Sequence, residues 1–314
     1  MSQMIELRAW RQFLAVAEEL HFGRAAARLH MTQPPVTQAI AQLEKALEVR
    51  LFDRNRRRVV LTPAGEALLP EARELLARAQ ALPARARAAA AGEVGRVRLA
   101  FVSTIGFERL PAWVRDFRAG SPQVALELVE ATGDVQLEAL ARGEIDAGLM
   151  LHSPGFAPPG LQRLPVASEP LVLALPAQHP LARGKTVPLE QVLAEPLVIF
   201  PRRIVPSLHD AIFGLYHAAG RTPSVAQEAI QMQTIVNLVW GGLGVAWVPE
   251  SITQFRRSGV VYRAAAELAP AVRRGRAVAL PLCETSLVWP QAVDPPALQR
   301  FVAFIRDEGS ALAQ

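Results

Sequence analysis

Only one of the 314 residues is cysteine, Cys283, so no disulfide can form within the chain. A thiol switch would lack a resolving partner, which leaves a buried core thiol as the reading. Lysine is almost missing too: Lys45 and Lys185 are the only two, and arginine carries the positive charge. That arginine and alanine excess is what a GC-rich genome produces and says nothing about function. No long hydrophobic run exists. The longest, residues 235–249, is broken by Asn237 and several glycines and is too short to span a bilayer. The first ten residues, MSQMIELRAW, lack the apolar core of a secretory signal. These absences predict a cytoplasmic protein without membrane contact. No G-x-S-x-G elbow occurs, and no His/Cys/Glu cluster has metal-ligand spacing. Gly241-Gly242-Leu243-Gly244 lacks the lysine of a phosphate loop and precedes a strand, so it reads as a tight turn. No metal and no cofactor is therefore expected. Ser103 with His152, His179 or His209 is the only material for a hydrolase or transferase, and an enzyme is not expected.

What is present is unevenly distributed. Residues 1–92 hold 14 of the 34 basic and 9 of the 29 acidic side chains, an excess of five positive charges. Residues 93–314 hold 20 of each, so the whole net charge of +5 lies in the first segment. A basic module joined to a neutral one is the electrostatic footprint of polyanion binding, against the plainer reading of a small domain that happens to be basic.

Within that module, GRAAARLHMTQPPVTQAIAQLEKAL (23–47) reads as a helix-turn-helix. A short helix begins at Arg24, and Ala25, Ala26 and Ala27 leave room for close helix packing. His30 and Met31 make the turn, and Thr32 is placed to cap the next helix. Pro34 and Pro35 fall in its first turn, where a missing N–H costs little. Val36, Ile40, Leu43 and Leu47 recur at helical spacing as a buried stripe. Gln33, Thr37, Gln38 and Gln42 lie opposite, neutral donor–acceptor side chains of the kind that read base edges. Then LFDRNRRRVVLTPAG changes character: Arg54, Arg56, Arg57 and Arg58 sit in a cationic turn before β-prone Val59–Thr62, a wing suited to phosphate contact. Residues 64–91, with 12 alanines and five leucines, form a long helix that Pro70 is expected to bend or interrupt and Pro83 to end early or kink. Its leucines point to pairing with a second copy or to packing on its own domains.

From Gly95 the pattern alternates between strand and helix. Strands are expected at 96–102, 124–130 and 145–150, with helices at 107–119 and 135–142, a βαβαβ unit implying a mostly parallel sheet. A second set comes next: strands at 171–176, 196–200, 224–229 and 244–249, helices at 207–219 and 232–240, then strands at 261–264 and 277–282 and a closing helix at 298–307. Two α/β lobes with a late return to the first leave a cleft, and such clefts bind small ligands.

With these elements in place the chain resembles the LysR-type transcriptional regulators along its whole length. The stretch from AVAEELHFGRAAARLHMTQPPVTQ to LTPAGEALLP is similar to their winged DNA-binding region and linker helix, and GEIDAGL (143–149), AQHPLA (177–182) and GLGVAWVP (242–249) to their effector domain. The resemblance implies an α/β fold class: an N-terminal winged helix-turn-helix (1–63), a linker/dimerisation helix (64–92), and a two-lobed effector domain (93–314) similar to type 2 periplasmic binding proteins. Lobe I would span about 93–166 and 268–314, and lobe II about 167–267. Residues 207–239 are similar to the branch that senses aromatic acids, muconate and related carboxylates. Pro35 and Thr37-Gln38 stand where many members carry Ala and Ser-Arg, so no operator sequence is carried over.

The resemblance also implies an effector between the lobes. Ser103 and Thr104 end the first strand, where they either bind a carboxylate or cap the following helix. Thr132 and Gly133 end the second, and Asp134 is available as a cap. Pro201, Arg202 and Arg203 come after the 196–200 strand, and the arginines are suited to pairing with an acid or to a surface role. Gln231 and Met232 open a helix, and Val248 ends a strand. Phe200 and Trp247 either pack on a ligand ring or belong to the core. The expected partners are double-stranded DNA at a promoter inverted repeat, a small anionic effector, RNA polymerase, and further copies in a homodimer or homotetramer. The alternative is an architectural DNA binder without a ligand.

Overall fold

The computed structural model describes residues 4–311 apart from 55–57, 108, 157, 274–275 and 293–294. The chain divides into two compact units, Met1–Arg87 and Ala88–Gln314. In the first, Phe13, Val16 and Ala17 line one side of α1 (Leu7–Glu19) and are buried. Leu20, in the left-handed region at φ 48°, closes that helix. The helix α2 (Phe22–Arg28) starts at His21, whose Nδ1 accepts from the amides of Gly23 (3.0 Å) and Arg24 (3.2 Å). Ala25 and Ala26 are buried against its neighbours, but Ala27 faces outward, so two of the three alanines make the close contact.

The helix α3 (Gln33–Leu47) buries Val36, Ile40 and Leu43, with Leu47 packed at the edge of the same core. Thr32 sits at its N-cap but makes no side-chain cap bond, contrary to expectation. The reason is local: a cap hydroxyl accepts from the second or third helical amide. Here those residues are Pro34 and Pro35, which have no N–H. The strands β1 (Phe52–Arg54) and β2 (Val59–Leu61) pair antiparallel as the wing, Phe52 opposite Leu61. Asn55, Arg56 and Arg57 lie outside the described residues. Thr62 caps α4 (Pro63–Ala90) by accepting from the Gly65 amide at 3.1 Å. Neither Pro70 nor Pro83 interrupts or ends this helix. Each removes one hydrogen bond, and the alanine- and leucine-rich turns on both sides keep theirs.

In the second unit β3 (Gly95–Phe101), α5 (Arg109–Gly120), β4 (Val124–Glu130), α6 (Gly133–Ala141) and β5 (Ala147–His152) form the βαβαβ unit; a 3-10 turn, Ser103–Phe107, precedes α5. The strand β6 (Leu161–Pro176) then runs sixteen residues, far longer than the expected 171–176. Its first part pairs with β15 (Leu282–Pro290), and its last six residues face β10 (Ala246–Pro249) and β11 (Val260–Arg263). The strand thus passes from one lobe to the other. A register shift between Thr285 and Ser286 lies opposite residues 165–167, where Pro165 cannot donate to the ladder. The sheet order is β10-β6-β15-β5-β3-β4. The β3–β4 and β3–β5 pairs are parallel, while every pair made by β6 and β15 is antiparallel, so the sheet is mixed where a mostly parallel one was expected.

The second lobe is completed by short β7 (Val187–Pro188), α7 (Leu189–Val192), β8 (Leu197–Ile199), α8 (Pro206–Ala218), β9 (Val225–Glu228) and α9 (Met232–Trp240). Short β12 (Leu268–Ala269), β13 (Val272–Arg273) and β14 (Arg276–Ala277) come next, and α10 (Pro296–Ala311) closes the chain against the first lobe. The expected strand at 277–282 is replaced by β15, because residues 282–290 pair with β6 and 284–288 pair with β5 as well. Each lobe has its own core. One is built on Leu99, Trp113, Phe117, Leu149 and Phe301, the other on Leu173, Phe200, Ile212, Tyr216, Val236 and Trp247.

A partly buried ion pair holds the edge of the first lobe. Arg98 donates to Asp146 from Nη2 (2.6 Å), Nε (3.2 Å) and its backbone amide (2.7 Å). Burial alone would raise the Asp146 carboxyl, but the bonds from the guanidinium and amide outweigh it and hold it below the usual carboxylate range. This stabilisation is present above the unfolded carboxyl's value of about 3.9 and is lost as pH falls through the lower folded value. Asp146→Asn is expected to lower stability at pH 7 by about 1–2 kcal/mol, the pair being partly solvated, and to flatten the acid limb below about pH 4. Urea midpoints across pH 3–7 measure both effects.

Candidate functional site

In the first unit the exposed side of α3 carries Gln33, Pro34, Pro35, Gln38 and Gln42, with Thr32 at its entrance. Thr37 is half-buried and its hydroxyl donates to the Gln33 carbonyl at 3.1 Å. The basic side chains around this face differ in their freedom. Arg24 is tied to Glu19 through the backbone carbonyl (2.5 Å) and the carboxylate (3.3 Å). Arg54 pairs with Glu44 at 2.9 Å and lies 4.8 Å from the centre of the Phe22 ring. Arg58 is exposed, and Arg56 and Arg57 fall outside the described residues.

Two residues of this region escape sequence reasoning. His21 caps α2 through a ring nitrogen, a role for which histidine gives no propensity signal. Glu44 accepts from the Leu51 (2.9 Å) and Phe52 (3.1 Å) amides with one oxygen while the other holds Arg54. It joins α3 to the wing strand, and only the return of the chain reveals it.

In the second unit a small cavity of about 30 Å³ opens between the lobes. Its lining brings together five predicted residues: Ser103, Thr104, Thr132, Gln231 and Met232. Val102, Leu151, Phe200, Ile204, Val205 and Ile230 supply most of its apolar wall, and Glu130 also borders it. The Thr104 hydroxyl is fully buried and has no partner among the described residues. The Thr132 hydroxyl donates to Asp134.

The other predicted residues stand elsewhere. Arg202 is locked to Asp210 by two bonds of 2.7 Å, Arg203 faces Asp134 at 3.7 Å, and neither lines the cavity. Pro201 and Val248 are buried outside the lining, and Trp247 belongs to the second core. Gly133 serves close approach: a Cβ there would lie 2.9 Å from the Ile204 carbonyl, so the start of α6 nears the other lobe. The lobes are also joined by Ser153, whose amide donates to the Ser207 hydroxyl and whose hydroxyl donates to the Ser207 carbonyl, both at 3.0 Å.

The three histidines considered beside Ser103 all have other neighbours. His152 contacts the Ser153 carbonyl (2.8 Å) and the Ser286 hydroxyl (2.9 Å). His179 accepts from the Leu181 amide at 3.2 Å. His209 stacks on Phe213 at 4.3 Å. Cys283 is fully buried, and burial together with the nearby Glu169 pushes its thiol far above the usual range, away from thiolate chemistry. Among the described residues no group of three or more His, Cys, Asp or Glu could hold a metal, and no helix is long and apolar enough to cross a membrane.

Comparison with known proteins agrees with this layout. Residues 7–66 match the family of bacterial regulatory helix-turn-helix proteins of the lysR type, and residues 90–310 match the LysR substrate binding domain. The transcriptional regulator IlvR of Caulobacter vibrioides is 43% identical over 310 residues, covering 98% of this chain and 99% of that protein. AlsR of Bacillus subtilis is 39% identical over 259 residues, covering 82% and 85%. The crystal structure of full-length CbnR complexed with its target DNA superposes with a TM-score of 0.77 at 32% identity, covering 97% of this chain and 99% of that one. These relatives are named as regulators, which sets the hydrolase or transferase reading aside. The chain belongs to the LysR family of DNA-binding transcriptional regulators, with a helix-turn-helix unit ahead of a two-lobed substrate-binding domain.

Proposed function

We propose that this protein is a transcriptional regulator whose α3 enters the major groove of a promoter inverted repeat while a small organic carboxylate bound between the lobes sets its activity. The single observation that carries the reading is the interlobe cavity, apolar over most of its wall, with the buried Thr104 hydroxyl unpartnered at the strand end. Gln33, Gln38 and Gln42 are the base-reading candidates, and Arg24, Thr32, Pro34, Pro35, Thr37, Arg54, Arg56, Arg57 and Arg58 position the module. Ser103, Thr104, Thr132, Gln231 and Met232 contact the effector. No cation lines the cavity among the described residues, so a carboxylate there is met by hydroxyl and amide donors and not by Arg202 or Arg203.

Leu75 and Leu82 stand exposed one heptad apart on α4, which supports pairing of two chains through this helix into a dimer, and of dimers into a tetramer. Effector that binds one lobe arrangement better than another would shift the spacing of the DNA-binding units and the recruitment of RNA polymerase. We place the protein in the cytoplasm, where its DNA is.

The test is electrostatic and chemical. Log affinity for a promoter fragment falls steeply with log salt, and Arg56→Ala flattens that slope by about one unit. Binding of a carboxylate changes the footprint; no change of footprint or melting temperature with any small molecule would favour the architectural alternative.

A further inference from the structure

The walls of the interlobe cavity are not chemically alike, and their asymmetry selects the head group of the ligand. Strands β3 and β4 are parallel neighbours that end side by side, Phe101 opposite Glu130, with the Ala131 amide donating to the Phe101 carbonyl at 3.0 Å. Past the end of β3 stand Ser103 and Thr104. Neither hydroxyl has a hydrogen bond to a described residue, and Thr104 is 2% exposed. Both are able to donate into the cavity.

Past the end of β4 the polarity reverses. Glu130 borders the cavity from an exposed position and has no hydrogen bond or ion pair with any described residue. Strand alternation puts it on the face of Val124 and Leu126, the side on which Ile105 packs. The Thr132 hydroxyl uses its one proton on Asp134, so toward a ligand it offers lone pairs only. Arg202 pairs with Asp210 and Arg203 faces Asp134 at 3.7 Å, and neither lines the cavity. The result is a side that carries the Glu130 carboxylate and the Thr132 lone pairs beside the first-turn amides of α6, one strand spacing, about 4.8 Å, from the two hydroxyl donors. A simple carboxylate satisfies the second and leaves Glu130 facing a like charge.

Resting on the proposed cavity, we propose that the effector is an aliphatic α-amino acid: its ammonium meets Glu130 and Thr132, its carboxylate meets Ser103 and Thr104, and its side chain packs on Val102, Leu151, Ile204, Ile230 and Met232. The separation of the two polar sides suits the adjacent charges of an amino-acid head group, and the aliphatic lining suits its tail. Glu130 is then the residue that separates amino acids from their deaminated analogues.

Calorimetry on the full chain tests this with L-leucine, 4-methyl-2-oxopentanoate, 4-methylpentanoate, benzoate and cis,cis-muconate. L-Leucine is expected to bind at least about tenfold more tightly than either deaminated acid, a charge-assisted bond being lost in those two. Glu130→Gln is expected to weaken L-leucine about tenfold and to leave 4-methylpentanoate unchanged or tighter. Equal binding of L-leucine and 4-methylpentanoate by the unmodified protein overturns the proposal, with or without a folded variant. Parallel weakening of both ligands by Glu130→Gln overturns it too. Ile230→Trp, at a half-exposed position on the lining, distinguishes this failure from that of the cavity itself. Benzoate or muconate binding tightly and being blocked by Ile230→Trp would leave the effector cavity standing without the amino acid. Binding of no member of the panel in a manner sensitive to Ile230→Trp removes both readings.

Discussion

Glu44→Ala is expected to cost the DNA-binding unit about 3 kcal/mol and to weaken promoter binding by at least tenfold, because a buried backbone donor left unpaired costs about 1–3 kcal/mol and here there are two. The amides of Leu51 and Phe52 both end on one carboxylate oxygen, and both residues are fully buried. Both amides lie beside the core of Phe13 and Phe52, whose rings are 5.6 Å apart, so water that replaces that oxygen must reach two buried residues. The second oxygen holds Arg54 at 2.9 Å. Removing it releases the base of the wing, so stability and DNA affinity fall together. Glu44→Gln separates the two functions. Its amide oxygen still accepts from both backbone groups, while the charge pair with Arg54 is lost, and about 1 kcal/mol is expected. Urea unfolding followed in the helix signal, with titration of a promoter fragment in parallel, measures both. Equal losses in the two variants would place the effect on the ion pair and not on the strand amides.

Gly244→Ala is expected to be at least as damaging in the other unit, costing upward of about 3 kcal/mol or abolishing folding of the second lobe. Gly244 has φ +154°, and a Cβ there would stand 2.1 Å from the Pro196 carbonyl oxygen. That oxygen accepts from the Val245 amide at 2.8 Å, and the Val245 carbonyl accepts from Val198 at 2.9 Å. The clash therefore falls on the bridge that brings β8 alongside β10, and it falls on backbone, which has no rotamer to yield. Gly143→Ala is the control. Its φ is +67°, but nothing lies within 4 Å of the added methyl, so only the conformational cost of about 1 kcal/mol is expected. Thermal unfolding of the two variants side by side should separate them by several degrees, and equal melting temperatures would show that the chain shifts at Pro196 without penalty.

Glu44 and Gly244 mark where reading the chain linearly stops. The helix-turn-helix was legible because its cause is local: Val36, Ile40 and Leu43 succeed one another around a single helix, and the turn residues sit between two runs of known period. The strand at 124–130 and the helix at 232–240 were legible for the same reason and are found with those bounds. Thr32 was misread although the information was adjacent, since Pro34 and Pro35 remove the amides its hydroxyl would need. The first ten residues of β6 were missed because Pro165, Pro170 and mixed polarity hide a strand whose stabilising partner, β15, lies more than a hundred residues away.

The sequence by itself determined the basic front unit, the winged helix-turn-helix, the long α4 and the α/β character of the second unit, because each depends on residue spacing within one element or on charge summed over a segment. Only the tertiary structure decided which polar groups face the cavity. Arg202 and Arg203 looked like an anion site from their place after a strand, yet they face Asp210 and Asp134 and do not line the cavity, and Glu130, which no motif singled out, borders it unpaired. A side chain's partner is chosen by three-dimensional proximity between distant segments, and the charge left over after those pairings is what a ligand meets.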